Sequence, residues 1–260
     1  MPPLTEAAPG VWTAHSALWS TSCTVVVAAD NTCLVVDPGV TVAEVADVAQ
    51  AIRARGWRPA AGFSTHPHWD HLLWSADLGD VPRWATPGAV RLAAERRSQI
   101  LAEADERAPG HDHRLTAHLD PLPDAAGEVP WPGPRAVVVG YRAHCAGSAA
   151  LLLPSAGVLI AGDVLSDTEI PLLDLETADP VGDYRAMLDL LEEAAAAADL
   201  RVLISGHGTV TDRAGLHRRA DADRAYLDAL ASDDQFDERL TDPWVVSEHE
   251  RQVRWARGER

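Results

Sequence analysis

Apolar positions along the chain fall into runs that predict strands and helices. Residues 23–29 and 32–37 are rich in β-branched side chains, and the two turn residues between them predict a β-hairpin. A capping box that starts at Thr41 predicts a helix, whose apolar residues recur at helical spacing until Gly56. Residues 60–65 then predict a short buried strand.

The same alternation continues through the second half of the chain. Predicted helices cover residues 89–107, 183–198 and 212–231, predicted strands cover residues 135–140, 149–153, 157–161 and 201–205, and irregular loops cover residues 108–134 and 164–181. Two similar β-rich halves with helices to one side predict an α/β fold in which two sheets pack face to face. We expect a single domain over residues 1–260, with a flexible start at 1–10 and a polar C-terminal extension at 237–260.

Composition narrows the class of partner. The chain has 260 residues, is 47% hydrophobic and carries a net charge of −17, with no lysine. Phosphate binding needs a basic face, so we expect a small-molecule substrate and no nucleic acid. The start has no secretory signal pattern, and the longest apolar stretch is too short to span a bilayer. Three cysteines without metal-binding spacing fit reduced thiols. We therefore expect a cytoplasmic protein with no membrane contact, and a homodimer stays open.

A histidine-rich run follows the strand predicted at residues 60–65. Its spacing is His66-x-His68-x-Asp70-His71, which concentrates three imidazoles and a carboxylate where few structural needs would place them. Imidazole nitrogen and carboxylate oxygen are ligands that zinc accepts. The spacing also divides in two, because one pair of histidines can reach one ion while Asp70 and His71 face a second. The alternative is a polar loop that happens to be rich in histidine.

Three later residues extend this candidate site. His144, Asp163 and His207 each follow a predicted strand, and glycines beside the last two allow tight turns near a ligand. A single histidine or aspartate at a strand end is usually structural. Three of them downstream of the histidine run, in this order, favour a two-metal centre.

These motifs together resemble the metallo-β-lactamase superfamily. The resembling marks are Asp37-Pro-Gly, the histidine run at 66–71, His144-Cys-Ala-Gly-Ser, Gly-Asp163 and Gly-His207. The resemblance implies an αββα sandwich of two mixed β-sheets with helices outside and the metals at the sheet edge. It assigns His66, His68 and His144 to the first metal, Asp70, His71 and His207 to the second, and Asp163 as the bridge. Asp37 would support the ligands without binding metal.

The resemblance also implies an activity. A bridging Asp163 and a histidine at position 71 are similar to the glyoxalase II, lactonase and phosphodiesterase branches, so antibiotic hydrolysis is not the expected native role. Two Zn²⁺ ions, with iron or manganese as alternatives, would share a hydroxide that attacks the substrate. Asp70 is the expected catalytic residue, which orients this nucleophile and accepts its proton. We expect a metal-dependent hydrolase acting on a small, largely apolar ester, lactone or thioester.

The expected substrate contacts are apolar residues beside the ligands. Trp69 lies inside the ligand run, and Leu73 and Trp74 belong to the segment Leu72-Leu73-Trp74 that follows it, where relatives often have Gly-Gly. Trp12 and Trp19 are further candidates near the first strand. For any single tryptophan, core packing is the alternative.

Three other functions remain open on the same motifs. One is a mononuclear-iron sulfur dioxygenase that uses His66, His144 and Asp163 and leaves the second group unused. Another is a phosphodiesterase, and the third is a binding protein without catalysis. The complete set of second-site residues argues against the dioxygenase and the binding protein.

Overall fold

The computed structural model describes residues 3–123, 127–232 and 237–259, and the first seven strands form one sheet. These strands lie side by side in chain order: β1 (Thr5–Ala8), β2 (Val11–His15), β3 (Ser22–Val27), β4 (Thr32–Val36), β5 (Arg58–Phe63), β6 (Arg83–Ala85) and β7 (Asp120–Pro121). Strands β1 to β4 pair antiparallel, which confirms the predicted hairpin of β3 and β4. Strands β4 to β7 pair parallel, so the sheet is mixed.

Four later strands form a second mixed sheet. They are β8 (Val137–Gly140), β9 (Ala149–Leu153), β10 (Val158–Ile160) and β11 (Val202–Ile204), in the spatial order β11-β10-β9-β8. Strand β10 pairs parallel with β11 and antiparallel with β9, and β9 pairs antiparallel with β8. Strands β8, β10 and β11 therefore run in the same direction, and their carboxyl ends meet at one edge.

Six α-helices accompany the two sheets in the described residues. They are α1 (Val42–Ala54), α2 (Pro87–Glu95), α3 (Arg97–Arg107), α4 (Pro180–Ala197), α5 (Arg213–Ala229) and α6 (Pro243–Ala256). Helix α1 begins at the predicted capping box, in which Thr41 and Glu44 satisfy each other's backbone amides. Among the described residues, no helix combines the length and apolarity that crossing a membrane would require.

Three apolar layers hold these elements in an αββα sandwich. Between the sheets, inward residues of the first sheet such as Leu34 meet Leu151 and Ile160 of the second. Outside the first sheet, the opposite face of β4 packs beneath α1 through Val35. Outside the second sheet, α4 and α5 cover residues such as Leu159. Because both faces of the central strands are covered, they are continuously apolar instead of alternating. The predicted fold class is confirmed.

The structure differs from the sequence predictions at several elements. The helix predicted at 89–107 is two helices, with the break at Arg96 (φ −100°, ψ 14°). Within the start that the sequence predicts as flexible, residues 5–8 form β1 against β2, and residues 1–2 lie outside the described residues. The polar extension at 237–260 contains helix α6. The two halves are unequal, with seven strands and four.

Candidate metal centre

The residues predicted as metal ligands all follow carboxyl ends of strands. The histidine run comes after β5, His144 after β8, Asp163 after β10 and His207 after β11. Two hydrogen bonds join the sheets at this edge: Ala149 N donates to Thr65 O (2.9 Å), and Ser22 N donates to Gly206 O (2.7 Å). The parallel arrangement of these strands therefore brings distant parts of the sequence together.

One group of possible ligand atoms comes from His66, His68, His144 and Asp163, all within 4.8 Å of one another. His144 Nε2 lies 2.9 Å from His68 Nδ1, and His66 Nε2 lies 3.2 Å from Asp163 Oδ2. At 2.9 Å at most one of the two facing nitrogens of His144 and His68 can carry a proton, so at least one of them presents a lone pair. Burial and the neighbouring His66 lower the pKa of His144 to about 3, which keeps its ring in the neutral form that binds metal.

The second group comes from Asp70, His71 and His207, again within 4.8 Å of one another. His71 Nε2 lies 3.3 Å from Asp70 Oδ2, and His207 Nε2 lies 3.5 Å from the same oxygen. Although burial raises it, the pKa of Asp70 is held below its usual range by His71 and His207. The Asp70 side chain is therefore an ionised carboxylate, with acceptor oxygens only.

The carboxylate of Asp163 touches both groups. Its Oδ2 atom is 3.2 Å from His66 Nε2 and 3.1 Å from His207 Nε2, while its Oδ1 atom is 3.2 Å from His71 Nε2. The close approach requires glycine at position 206, since a Cβ there would lie 1.9 Å from Asp163 Oδ1. One carboxylate is thus placed between the two clusters of imidazoles.

The donor set fits divalent metal. Buried polar atoms in proteins are nearly always hydrogen-bonded. Several at this edge have no such partner in the described residues: His66 Nε2, His71 Nε2, His144 Nδ1 and Asp163 Oδ1. His66 Nε2, His71 Nε2 and Asp163 Oδ1 face the centre between the two groups of ligands. Nitrogen together with carboxylate oxygen suits zinc and related ions. The sequence-predicted ligand set is therefore assembled in space, in two groups joined by Asp163.

Asp37 supports both groups through a chain of hydrogen bonds. Its Oδ1 accepts from Thr65 N (3.1 Å), and its Oδ2 accepts from Thr65 Oγ1 (2.7 Å) and His71 Nδ1 (3.0 Å). Because the Thr65 hydroxyl donates to Asp37, it accepts from His66 Nδ1 at 3.0 Å. In their neutral, metal-binding form both imidazoles then carry their proton on Nδ1, which leaves the Nε2 lone pair facing the centre.

Glu169 is a buried neighbour of the site to which the sequence assigns no role. Its Oε1 lies 3.7 Å from His207 Nδ1, and the same nitrogen lies 3.0 Å from the carbonyl oxygen of Trp19. Burial raises the pKa of Glu169 to about 7, and the carboxylate of Asp163 adds to this effect. Although burial lowers it, the pKa of His207 rises to about 10 because Asp163 and Glu169 face it. The one sequence feature that could have drawn attention to Glu169 is its position in the loop after Asp163.

The predicted substrate contacts divide into two kinds. Trp69 packs beside the ligands in a cluster with Leu72, next to α3. Leu73 and Trp74 are 1% and 5% exposed and belong to two different apolar clusters, and Trp74 packs on the outer face of the first sheet near α1. Both side chains are buried within these apolar clusters, and their contact with substrate stays a prediction.

Comparisons with known proteins agree with this geometry. The model of the metallo-β-lactamase superfamily matches residues 17–207. The probable metallo-hydrolase YqgX of Bacillus subtilis (strain 168) is 28% identical over 188 residues, which cover 70% of this chain and 83% of that protein.

Solved structures share the fold. A β-lactamase domain protein from Burkholderia ambifaria has a TM-score of 0.67 and 22% identity, covering 89% of this chain and 79% of that one. A metallo-β-lactamase family protein from Thermus thermophilus has a TM-score of 0.67 and 21% identity, covering 96% and 90%. From the matched family, the αββα sandwich and the assembled His/Asp cluster, we conclude that this chain belongs to the metallo-β-lactamase superfamily and is a metal-dependent hydrolase.

Proposed function

We propose that this protein hydrolyses a small, largely apolar ester, lactone or thioester at a centre of two zinc ions. The observation that carries the proposal is Asp163, whose two oxygens lie 3.2 Å from His66 Nε2 and 3.2 Å from His71 Nε2, one from each ligand group. A carboxylate between two sets of imidazoles is what a shared two-ion site needs.

Bound zinc would supply Lewis acidity, which polarises the acyl oxygen and lowers the pKa of water to about 7. The protein's own residues set the geometry for that chemistry. Asp37 and Thr65 fix the tautomers of His66 and His71. The ionised carboxylate of Asp70 accepts a hydrogen bond from the attacking water and so orients its lone pair towards the substrate.

Access to the centre is from the side of His68, which is partly exposed, whereas the other six predicted ligands are buried. Beside it lies Trp69, which remains a predicted substrate contact. A net charge of −17 repels polyanions, which favours an uncharged acyl compound over a phosphodiester.

The test begins with elemental analysis of protein purified without added metal. It continues with an activity panel of esters, lactones, thioesters, phosphodiesters and β-lactams. We expect two zinc ions per chain and turnover on the acyl compounds. One iron per chain without acyl hydrolysis would favour the sulfur dioxygenase, and turnover restricted to phosphodiesters would replace the proposed substrate class.

The Asp70→Asn variant tests the role of Asp70 in the proposed mechanism. Asparagine retains the size of the side chain but removes its charge, so we expect kcat to fall by about 10²-fold or more while the fold is kept. Wild-type kcat in this variant would remove Asp70 from the proposed mechanism.

A further inference from the structure

Three tryptophans from distant parts of the chain form a row beside the candidate metal centre. The ring centroids of Trp69 and Trp19 are 5.8 Å apart at an interplanar angle of 72°, and those of Trp19 and Trp244 are 5.9 Å apart at 31°. Both separations lie in the range of favourable aromatic pairs. We refer to Trp69, Trp19 and Trp244 as the tryptophan row.

The row is anchored to ligands at its inner end. Trp69 is adjacent in sequence to His68, the partly exposed ligand. The carbonyl oxygen of Trp19 lies 3.0 Å from Nδ1 of His207, so the backbone that carries this ring also holds a ligand of the other group. The row therefore starts at the accessible side of the centre.

At its outer end the row reaches solvent. Trp69 is 7% exposed, whereas Trp244 is 37% exposed. The three rings thus pass from a buried position beside a candidate ligand to a partly exposed one, and ligand pockets combine such apolar groups with a few polar ones. Trp12, another sequence candidate, lies elsewhere and packs against Trp57, with ring centroids 5.3 Å apart at an interplanar angle of 58°.

Helix α6 holds the outer ring in place, although the helix lies beyond the residues that the family model matches. Gln252 of α6 accepts a hydrogen bond from Leu173 N (2.7 Å) in the loop after Asp163, and its amide donates to Tyr226 Oη (3.0 Å). Val245, beside Trp244, is buried against the second-sheet core. Trp244 is thus presented by a fixed helix and not by a loose tail.

We propose that the tryptophan row binds an aromatic substituent of the substrate, so that the enzyme prefers aryl-bearing acyl compounds over alkyl ones of the same size. This deepens the proposed function and rests on it. Aromatic rings prefer offset or edge contacts with other rings, and the rings of the row, one pair edge-on and the other tilted, differ in the orientation that they would present to a third ring. Arg107 lies 6.0 Å from the centroid of the Trp19 ring, so the substituent is neutral or anionic and not cationic.

The test uses product-like carboxylates, whose binding does not depend on turnover. Phenylacetate and cyclohexylacetate have the same charge and the same number of carbon atoms, and only the first has a flat aromatic ring. Their dissociation constants are measured by calorimetry on the protein with its metal as isolated. For the wild type we expect phenylacetate to bind more tightly.

Helix α6 offers a matched pair of variants, because Trp244 and Trp255 are both 37% exposed. We expect Trp244→Leu to weaken phenylacetate binding by about 2- to 10-fold and to leave cyclohexylacetate nearly unchanged. Trp244→Phe should restore part of the difference. Trp255→Leu should change neither ligand.

Equal affinity for the two carboxylates in the wild type would overturn the tryptophan row as an aromatic site. Equal effects of Trp244→Leu and Trp255→Leu would overturn it as well. Absence of acyl hydrolysis with the aromatic preference intact would refute the proposed reaction and leave the binding site standing, so the two failures are distinguishable.

Discussion

Replacing Asp37 by asparagine tests whether this residue governs metal binding without touching metal. The side chain keeps its size, but an amide nitrogen takes the place of one carboxylate oxygen. In the wild type, Oδ1 accepts from Thr65 N, and Oδ2 accepts from Thr65 Oγ1 and His71 Nδ1. Whichever way the amide turns, its NH₂ group faces at least one buried donor.

The size of the effect follows from those contacts. One lost hydrogen bond to a charged acceptor costs about 1.5–3 kcal/mol, and a buried donor left unpaired costs about 1–3 kcal/mol. If the NH₂ group faces Thr65 Oγ1, the hydroxyl reverses and donates to His66 Nδ1, which moves that ring's proton to Nε2. The proton then stands where the metal should bind. Outer partners of metal-binding histidines typically contribute 10- to 100-fold in affinity, so we expect Asp37→Asn to lose about that much.

The assay is competition with a chromophoric chelator, which measures metal affinity directly. Asp30→Asn is the matched control, because exposed Asp30 also accepts from a threonine amide (Thr32 N, 3.0 Å) and its hydroxyl (2.6 Å), far from the site. Asp30→Asn should bind metal as the wild type does. Wild-type affinity in Asp37→Asn would refute the tautomer argument.

Three further predictions concern the site. Burial lowers the pKa of His71 and His207, but nearby carboxylates raise both, and the pKa of His207 rises to about 10. Zinc binding to chelator-stripped protein at pH 8 should therefore release protons, which an indicator dye in weak buffer detects. For the same reason, zinc affinity should rise with pH. In the chelator-stripped protein, the protonated rings of His71 and His207 contribute their full stabilisation below about pH 6.5. This contribution is lost as the pH rises towards 10, and urea unfolding across that range measures the loss. Gly206→Ala should abolish metal binding, because the added Cβ displaces Asp163. Gly140→Ala is the control, since no atom lies within 4 Å of the added Cβ, and it should bind metal normally. Similar metal content in the two variants would contradict the role of Gly206.

Local signals predicted the helices and strands best. Helix α1 was predictable because its capping box is made by Thr41 and Glu44, three residues apart. Helix α6 was missed because its buried face includes polar His249 and Gln252, whose partners Tyr226 and Leu173 lie far away in sequence. A hydrophobic pattern cannot reveal a face that is buried through hydrogen bonds.

The break between α2 and α3 was also invisible in the sequence. Arg96 is neither glycine nor proline, so no local feature ends the helix there. The break instead lets both helices present small or apolar residues, Ala93 and Ile100, to the cluster around Trp69. Tertiary packing decided the geometry.

The sequence predicts the candidate ligands themselves better than the residues that surround them. The spacing of the histidine run and the strand-end motifs mark the seven candidate ligands, since metal chemistry restricts their residue types. Glu169 and the contact of Trp19 with His207 carry no comparable signal. They depend on how two loops meet, which sequence periodicity does not encode.

The placement of ligands on both sheets has a consequence for folding. His66 to His71 follow the first sheet, whereas His144, Asp163 and His207 follow the second. Before the sheets dock, four of the seven candidate ligands lie on one sheet and three on the other, and bringing the two sets together carries an entropy cost of loop closure. Bound metal would therefore stabilise the packing of the two sheets against each other, and only after both sheets have assembled.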